Sequence, residues 1–245
     1  MSTKYVSQTQ YGKNEAFELQ VARGQVQGHE VVNVFGFAGA VSTSFVSVWE
    51  NNADYVFPTV ASTMVVSSSS ASDTGVSVQI FGLDAGYNRI TEVVALNGTS
   101  NVTTTNVYWR INNVITTVGV AVGTVYVKNA GGTTYAQIAI GNGKTNMSVY
   151  TVPVGHTAYM TQFDAFSSTS VTSGVFATFR GLITSSTGIS NVVIQAPFLN
   201  TYAVTRPYPT PVFEKSDLQL QCKSSGAGLG IGALGIGVLI KNFTD

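Results

Sequence analysis

Short runs in which apolar and polar residues alternate recur along this sequence, with turn-forming residues between them. Because successive side chains of a β-strand point to opposite faces, a period of two predicts half-buried strands rather than helices. In the clearest run, LQLQCK at 218–223, one set of side chains is expected to face the core and the other the solvent. The inward set is Leu218, Leu220 and Cys222, and the outward set is Gln219, Gln221 and Lys223. No stretch keeps a helical period over three turns, so the sequence predicts an all-β fold.

Other runs repeat the pattern. VSVQI at 76–80 predicts that Val76, Val78 and Ile80 face inward. In VYWRI at 107–111, the predicted inward residues are Val107, Trp109 and Ile111, and the predicted outward residues are Tyr108 and Arg110. Further strand candidates follow at intervals of about 10 to 15 residues, as in an antiparallel β-sandwich or a barrel. They are 31–37, 45–50, 88–96, 123–129, 134–140, 157–166, 174–183, 191–198 and 230–241.

Composition supports the same fold class and narrows the partners. The chain has 35 Val and 12 Ile against 10 Leu, a β-branched bias that favours strands. Only 10% of its 245 residues are charged, with 12 basic and 12 acidic side chains and a formal net charge of zero. Without a basic excess, nucleic acid is not an expected partner. So few charges suit a protein that works packed against other proteins.

The segment FELQVA at 17–22 has two interpretations. Phe17, Leu19 and Val21 alternate with polar or small residues, which favours a strand or an extended arm. The alternative is a helix capped by Asn14 and ended by Gly24, which at about nine residues would be marginal alone. We therefore interpret residues 1–27 as an extended N-terminal arm that needs a neighbour to be ordered.

Residues 28–245 are interpreted as one β-sandwich domain, with a possible division into two lobes near 141–150. The segment GNGKTN at 141–146 could mark that boundary, but we favour a hairpin turn. TRPYPTPVFEK at 205–215 holds three of the six prolines and predicts an edge strand or a crossover, because Pro cannot sit in a central strand.

Two polar segments are interpreted as connections. SSSSASDTG at 67–75 lies between two strand candidates and is expected to form a loop. Residues 84–86, Asp-Ala-Gly, are expected to form a tight turn that joins two strands into a hairpin. This turn loosely resembles a calcium loop, but it lacks the carboxylate spacing of an EF-hand.

Residues that could support catalysis or cofactor binding are few. GIGALG at 230–235 matches a dinucleotide fingerprint, yet only ten residues follow it, too few for a βαβ unit. The uncharged segment 224–240 is interpreted as a buried terminal strand rather than a membrane span. His29 and His156 lie in no nucleophile motif, and Cys222, the single cysteine, belongs to no zinc cluster. We expect no enzyme activity, no cofactor and no metal.

Several longer stretches carry a resemblance to a known class of proteins. They are FELQVARGQVQGHEVVNVFGF (17–37), VWENNADYVFP (48–58), SSSSASDTG (67–75), IFGLDAGYNRITEVVALNG (80–98), TTTNVYWRIN (103–112), YTVPVGHTAYM (150–160) and PVFEKSDLQLQCKSS (211–225). In this order the chain resembles virion structural proteins of tailed bacteriophages, and is most similar to their capsid decoration, or cement, proteins.

That resemblance implies a sandwich of jelly-roll type and a homotrimer that binds the major capsid protein on the outside of the head. Such a protein would be assembled in the bacterial cytoplasm, which fits a chain with one cysteine. The expected contact residues lie in the arm and are Tyr5, Tyr11, Phe17 and Leu19. Two alternatives remain open, a receptor- or glycan-binding module of a head or tail fibre and a tail-connector component.

Overall fold

The computed structural model describes residues 15–168, 175–226 and 228–242. In those ranges one short helix precedes sixteen strands, and the strand ladders are antiparallel. The predicted all-β class is thus confirmed. The elements are α1 (Phe17–Ala22), β1 (His29–Val41), β2 (Val46–Ser47), β3 (Ser62–Ser68), β4 (Ser77–Leu83), β5 (Arg89–Ala95), β6 (Val102–Tyr108), β7 (Arg110–Val118), β8 (Val125–Lys128), β9 (Thr134–Ile138), β10 (Val149–Thr151), β11 (His156–Ser167), β12 (Ala177–Thr184), β13 (Ser190–Phe198), β14 (Thr201–Val212), β15 (Asp217–Ser224) and β16 (Leu229–Lys241).

The first two strands, β1 and β2, and the strands from β10 to β16 form a jelly roll. One sheet has the order β1-β16-β11-β14, and the other has the order β10-β15-β12-β13 with β2 also paired to β15. β2 and β10 occupy one strand position beside β15 and can be counted as one strand. The jelly-roll strands then number eight in chain order, from β1 as strand 1 to β16 as strand 8. The two sheets have the orders 1-8-3-6 and 2-7-4-5, which is the strand order of a jelly roll. The inner faces of the two sheets enclose one hydrophobic core, which includes Met160, Phe163, Phe179, Leu220 and Ile231. The predicted jelly-roll type is confirmed.

The middle of the chain forms a second sandwich, which is inserted between β2 and β10. Its sheets have the orders β6-β3-β8-β9 and β5-β4-β7. They enclose a separate core in which large side chains such as Met64, Ile80 and Tyr108 have no exposed surface. We call this unit the inserted sandwich.

The insertion divides a single strand of the jelly roll. Along β15, β2 pairs with Gln221 and Cys222, and β10 continues the ladder with residues 217–219. At the division the Val48 N–H donates to the Leu220 carbonyl at 3.0 Å, and the Leu220 N–H donates to the Ser148 carbonyl at 2.9 Å. The Ser148 N–H also donates to the Val48 carbonyl at 3.0 Å, so the two connecting segments leave the jelly roll side by side.

The preferred interpretation of residues 17–22 as a strand or extended segment is wrong, because they form helix α1. The Arg23 N–H donates to the Leu19 carbonyl at 3.0 Å, and Gly24, at a φ of 68°, ends the helix. The cap is Ala16 rather than Asn14. Only Val21 of the alternating set is buried, so the period of two did not reflect a strand face.

One predicted strand face and one predicted turn are also wrong. In 107–111 the chain leaves β6 at Tyr108 and enters β7, in the other sheet, at Arg110, so the alternation is broken at Trp109. Val107 is exposed as a result, while Tyr108 and Arg110 are buried. The hairpin interpretation of 141–146 also fails, because β9 and β10 on either side belong to different sheets.

In β15 the inward residues are as predicted, but Gln219 and Gln221 are buried as well. The reason is that β15 is covered on both faces: Gln219 Nε2 donates to Ser47 Oγ at 3.1 Å and to the Tyr55 carbonyl at 3.3 Å. Gln221 Oε1 accepts from Arg180 Nε at 2.7 Å.

Several other sequence predictions are confirmed. Val76, Val78 and Ile80 are buried, and the turn at Asp84 joins β4 and β5 into a hairpin. The proline-rich segment contributes to β14, which lies at the edge of its sheet. The glycine-rich segment after residue 228 is β16, a central strand between β1 and β11.

Candidate functional site

The joint between the two sandwiches contains a buried ion pair. Arg110 begins β7 of the inserted sandwich, and Asp217 begins β15 of the jelly roll. Arg110 Nε donates to Asp217 Oδ1 and Nη2 donates to Oδ2, both at 3.0 Å. Each side chain is 9% exposed. Asp217 Oδ1 accepts a further hydrogen bond from Thr151 Oγ1. A two-point pair of this kind fixes the orientation of one unit against the other.

Aromatic rings and carbonyl groups surround the rest of the Arg110 guanidinium. Its Cζ lies 4.9 Å from the ring centre of Phe57, 5.5 Å from Trp109 and 5.9 Å from Tyr87. Nη1 donates to the carbonyls of Pro58 and Trp109 at 3.0 Å. Since all three of its nitrogens are already bonded within the chain, this arginine holds the joint together and is not available to a ligand.

Further hydrogen bonds cross the joint beside the ion pair. Asn112 Nδ2 donates to the Thr151 carbonyl and its Oδ1 accepts from the Thr151 N–H, both at 2.9 Å. The Val154 N–H donates to the Tyr87 carbonyl at 3.0 Å. These bonds connect the backbone of the jelly roll to β7 and to the β4–β5 turn. The two sandwiches therefore share a polar seam crossed by several hydrogen bonds.

A cleft of about 300 Å³ lies between β1 of the jelly roll and the β5-β4-β7 sheet of the inserted sandwich. Arg89 and Glu30 form an exposed ion pair across it at 3.0 Å. Burial raises the pKa of Tyr150 in its wall to about 12, so this phenol is neutral. Other polar residues that line the cleft are Asn33, Thr91, Asn112, Asn113, Lys144 and Thr145.

The histidines do not come together with other catalytic groups in the described parts of the chain. His29 Nδ1 lies 3.0 Å from the Gln27 carbonyl, and His156 Nδ1 lies 2.9 Å from the Val154 carbonyl. Cys222 is buried, and burial raises its pKa far above the ordinary value. Among the described residues, no group of three His, Cys, Asp or Glu side chains could hold a metal ion. No described helix has the length and hydropathy needed to cross a membrane.

The predicted contact residues are only partly described. Phe17 and Leu19 lie on α1, where they are 48% and 50% exposed. The Phe17 ring meets the His29 ring edge-on at 5.8 Å, so the helix rests against the start of β1. Tyr5 and Tyr11 lie outside the described residues. Phe17 and Leu19 are thus accessible to a partner, and their role as contact residues stays a prediction.

Asp73 organises the end of the inserted sandwich that is farthest from the joint. Its buried carboxylate accepts hydrogen bonds from the N–H groups of Val122 at 2.9 Å and Gly123 at 3.0 Å, and from Ser68 Oγ. Its carbonyl accepts from the Gly98 N–H at 3.1 Å. One residue therefore ties three segments into a surface that we call the distal tip. The tip consists of residues 69–75, 97–100 and 117–124.

Burial alone would raise the pKa of Asp73, but its hydrogen bonds outweigh that effect and hold the pKa below its ordinary value. The carboxylate is therefore ionised at neutral pH. The sequence identified 67–75 as a loop but did not indicate this role. An Asp within a run of Ser is a common turn pattern, and its contacts with residues 98 and 122 are long-range.

Comparison with known proteins does not assign this chain to a family. No family model and no curated protein matches the chain. Similar solved structures include a T13 IBDV viral particle, at 12% identity over 88% of this chain and 74% of that chain, with a TM-score of 0.22. The VP2 subviral particle of infectious bursal disease virus has 12% identity over 89% of this chain and 78% of that chain, with a TM-score of 0.18. TM-scores at this level do not establish a shared fold.

Proposed function

We propose that this chain is a non-enzymatic structural protein of a tailed-bacteriophage particle, and specifically a decoration protein on the outside of the capsid. The observation that carries the proposal is the surface of the two joined sandwiches. It exposes many large apolar side chains, among them Tyr208 at 88% and Val56 at 67%, on a chain with only 10% charged residues. Surfaces of this kind are suited to burial against other proteins.

The joint supports a mechanical role. A decoration protein that bridges capsid subunits must transmit force between its contacts without coming apart. Here the divided strand and the buried Arg110–Asp217 pair connect the jelly roll to the inserted sandwich at several points. A bridge built in this way would add contacts that must break before the shell opens.

The resemblance of the sequence to phage decoration proteins supports the proposed location, and the jelly-roll fold is compatible with it. Jelly rolls also occur in lectins and cupins, so the fold alone does not select a function. In the proposed assembly Phe17 and Leu19 on α1 contact the capsid, together with the preceding segment that contains Tyr5 and Tyr11.

Immunogold electron microscopy of purified particles tests the location. Antibodies raised against the recombinant chain are expected to label the outer surface of the head. Labelling restricted to the tail or fibres would contradict the decoration role and favour a connector or fibre component. A complete lack of labelling on particles, with the free chain labelled as a positive control, would contradict a virion role.

A glycan-binding role is the second candidate, and the inter-sandwich cleft favours it. The cleft combines amides, hydroxyls and the neutral Tyr150, groups that sites for sugars use for orientation and stacking. Binding of the chain to a glycan array, lost in Asn33→Ala and kept in Asn191→Ala, would support it. Asn33 lines the cleft, whereas the exposed Asn191 lies on β13.

A further inference from the structure

The cleft between the two sandwiches runs along the edge strand β1. In the sheet of order β1-β16-β11-β14, β1 pairs with β16 on one side, and no other described strand pairs with it. Residues 30–35 of β1 line the cleft without a break. The Phe37 N–H donates to the Asn146 carbonyl at 3.5 Å on the side away from β16, and residues on both sides of Asn146 line the cleft as well. The cleft therefore lies along the free side of β1.

The register of β1 shows which backbone groups face the cleft. The Lys241 N–H donates to the Gly28 carbonyl at 2.8 Å, and the pairing with β16 keeps this register through the part of β1 that lines the cleft. In an antiparallel ladder, hydrogen-bonded pairs alternate with pairs that are not hydrogen-bonded. The even-numbered residues of β1 are therefore bonded to β16, while Val31, Asn33 and Phe35 direct their N–H and C=O groups into the cleft.

This edge is open to pairing, in contrast to the opposite edge of the same sheet. β14 carries Pro207, Pro209 and Pro211, which have no N–H to donate, whereas β1 has no proline. An unpaired edge strand without such protection is a template for a further strand. Among the described residues no strand takes that place beside β1. Its three free pairs of N–H and C=O groups repeat about every 7 Å, which is the repeat of an extended peptide backbone.

The side chains of the cleft indicate the composition of that peptide. Arg89 and Glu30 neutralise each other across the cleft at 3.0 Å. Lys144 is exposed and forms no ion pair with a described residue, so the lining has one excess positive charge. A peptide with a carboxylate complements this charge. The partly exposed rings of Phe81 and Tyr150 line the same cleft and suit apolar side chains.

We infer that the free edge of β1 binds an extended peptide segment of a partner protein, which joins the jelly-roll sheet as an additional strand. The segment pairs with the free N–H and C=O groups of Val31, Asn33 and Phe35, and it carries an acidic residue that reaches Lys144. Main-chain hydrogen bonds supply affinity in this mode of recognition, and the surrounding side chains supply specificity. The inference goes beyond the proposed function and does not require a virion role.

Hydrogen exchange of the backbone amides, followed by NMR on the full chain, tests the edge itself. The amides of Val31, Asn33 and Phe35 are expected to exchange faster than those of Val32 and Val34, which are bonded to β16. Slow exchange at all three cleft-facing amides in the free chain would overturn the inference, because the edge would then already be occupied.

Affinity selection of a synthetic library of random octapeptides on the immobilised full chain tests the binding. The selected peptides are expected to carry an acidic residue and to slow the exchange of the three cleft-facing amides. Asn33→Pro removes one of these N–H groups and leaves the ladder with β16 intact, so it should lower the affinity about tenfold or more. Asn33→Ala keeps the N–H and is the matched control, with the affinity expected to equal that of the wild type.

Val31→Pro provides a second edge variant, and circular dichroism shows whether each variant is folded. If neither proline variant folds, the exchange of the three amides with and without peptide decides. The inference is overturned if no peptide is selected, if a folded proline variant keeps full affinity, or if Asn33→Ala loses as much affinity as Asn33→Pro. Glycan binding that depends on the Asn33 side chain, without peptide binding, would also overturn it. Particle labelling is a separate measurement, so each of these results leaves the proposed function to its own test.

Discussion

Arg110 and Asp217 are 107 residues apart in the sequence, yet their side chains form a two-point buried ion pair that joins the inserted sandwich to the jelly roll. The pair lies beside the place where the insertion divides a jelly-roll strand. The covalent connection and the ion pair thus hold the same joint. This arrangement predicts that a substitution in either part of the joint lowers the unfolding free energy of both sandwiches together.

Removing one partner of the pair should be costly. Asp217→Ala leaves the Arg110 guanidinium buried without its carboxylate, and we expect a loss of about 3–5 kcal/mol in the free energy of unfolding. The matched control is Glu30→Ala, which breaks the exposed pair with Arg89 and should cost about 1 kcal/mol or less. Urea denaturation followed by fluorescence measures both. Equal effects of the two substitutions would contradict the role of the buried pair.

A substitution at Gly36 tests how closely β1 packs against the divided strand. A Cβ at this position of β1 would lie 1.8 Å from the Val48 carbonyl oxygen and 2.6 Å from the Ser148 nitrogen. Gly36→Ala must therefore push the two connecting segments apart, at a cost of about 3 kcal/mol or more. Gly39→Ala in the same strand is the control, because its nearest neighbour is an Asn52 side-chain oxygen at 3.8 Å. Thermal unfolding should separate the variants clearly, and similar melting temperatures would refute the packing argument.

The lowered pKa of Asp73 should make the stability of the fold depend on pH. Its pKa is lower in the folded chain than in the unfolded chain, so its contribution is present above the unfolded pKa of about 3.9. That contribution is lost as the pH falls through the folded pKa. We expect Asp73→Asn to be less stable than the wild type at pH 7 and the difference to shrink towards pH 3. Denaturation curves of both proteins at several pH values measure it, and a difference independent of pH would argue against the ionised carboxylate.

Cys222 should be unreactive in the folded chain. It lies on β15 with its side chain buried in the jelly-roll core, and burial raises its pKa, so little thiolate forms at neutral pH. Incubation with a thiol reagent at pH 8 should label it only after denaturant is added. Rapid labelling of the native protein would mean that β15 opens readily, contrary to its central position in the joint.

Leu19 tests the contact predicted for the N-terminal segment. Leu19→Ser should weaken binding of the chain to capsids while leaving the unfolding free energy nearly unchanged, because the side chain is half exposed. Ile189→Ser, at an exposed residue on the jelly roll, is the control. Co-sedimentation of each variant with purified heads measures binding. Deletion of residues 1–16 should have the same effect, and full binding by both altered chains would exclude this segment as the contact.

Most strands could be predicted because alternation is a local property. Val78 and Ile80 lie on the buried face of β4, Val76 directly precedes the strand and is buried too, and the pattern shows this face directly. The prolines near 207 indicated an edge strand for an equally local reason. Helix α1 was only the second interpretation of its segment, because six residues are too few to distinguish a period of two from a helical period.

The joint could not be predicted because it depends on contacts between distant segments. Nothing near Arg110 in the sequence indicates that Asp217 will neutralise it, so an arginine in an alternating run was assigned to the solvent face. Gln219 was assigned outward for the same reason, since the sequence does not reveal that the inserted sandwich covers the second face of β15. The division of one strand by an insertion leaves no local pattern at all.

The central claim is that this chain is a decoration protein on a phage capsid, and its copy number tests that claim most directly. Quantitative mass spectrometry of purified virions measures the ratio of this chain to the major capsid protein. The account predicts a ratio within a few-fold of one, as expected for a protein that covers the shell. A ratio lower by one or two orders of magnitude, or the absence of the chain from virions, would contradict it.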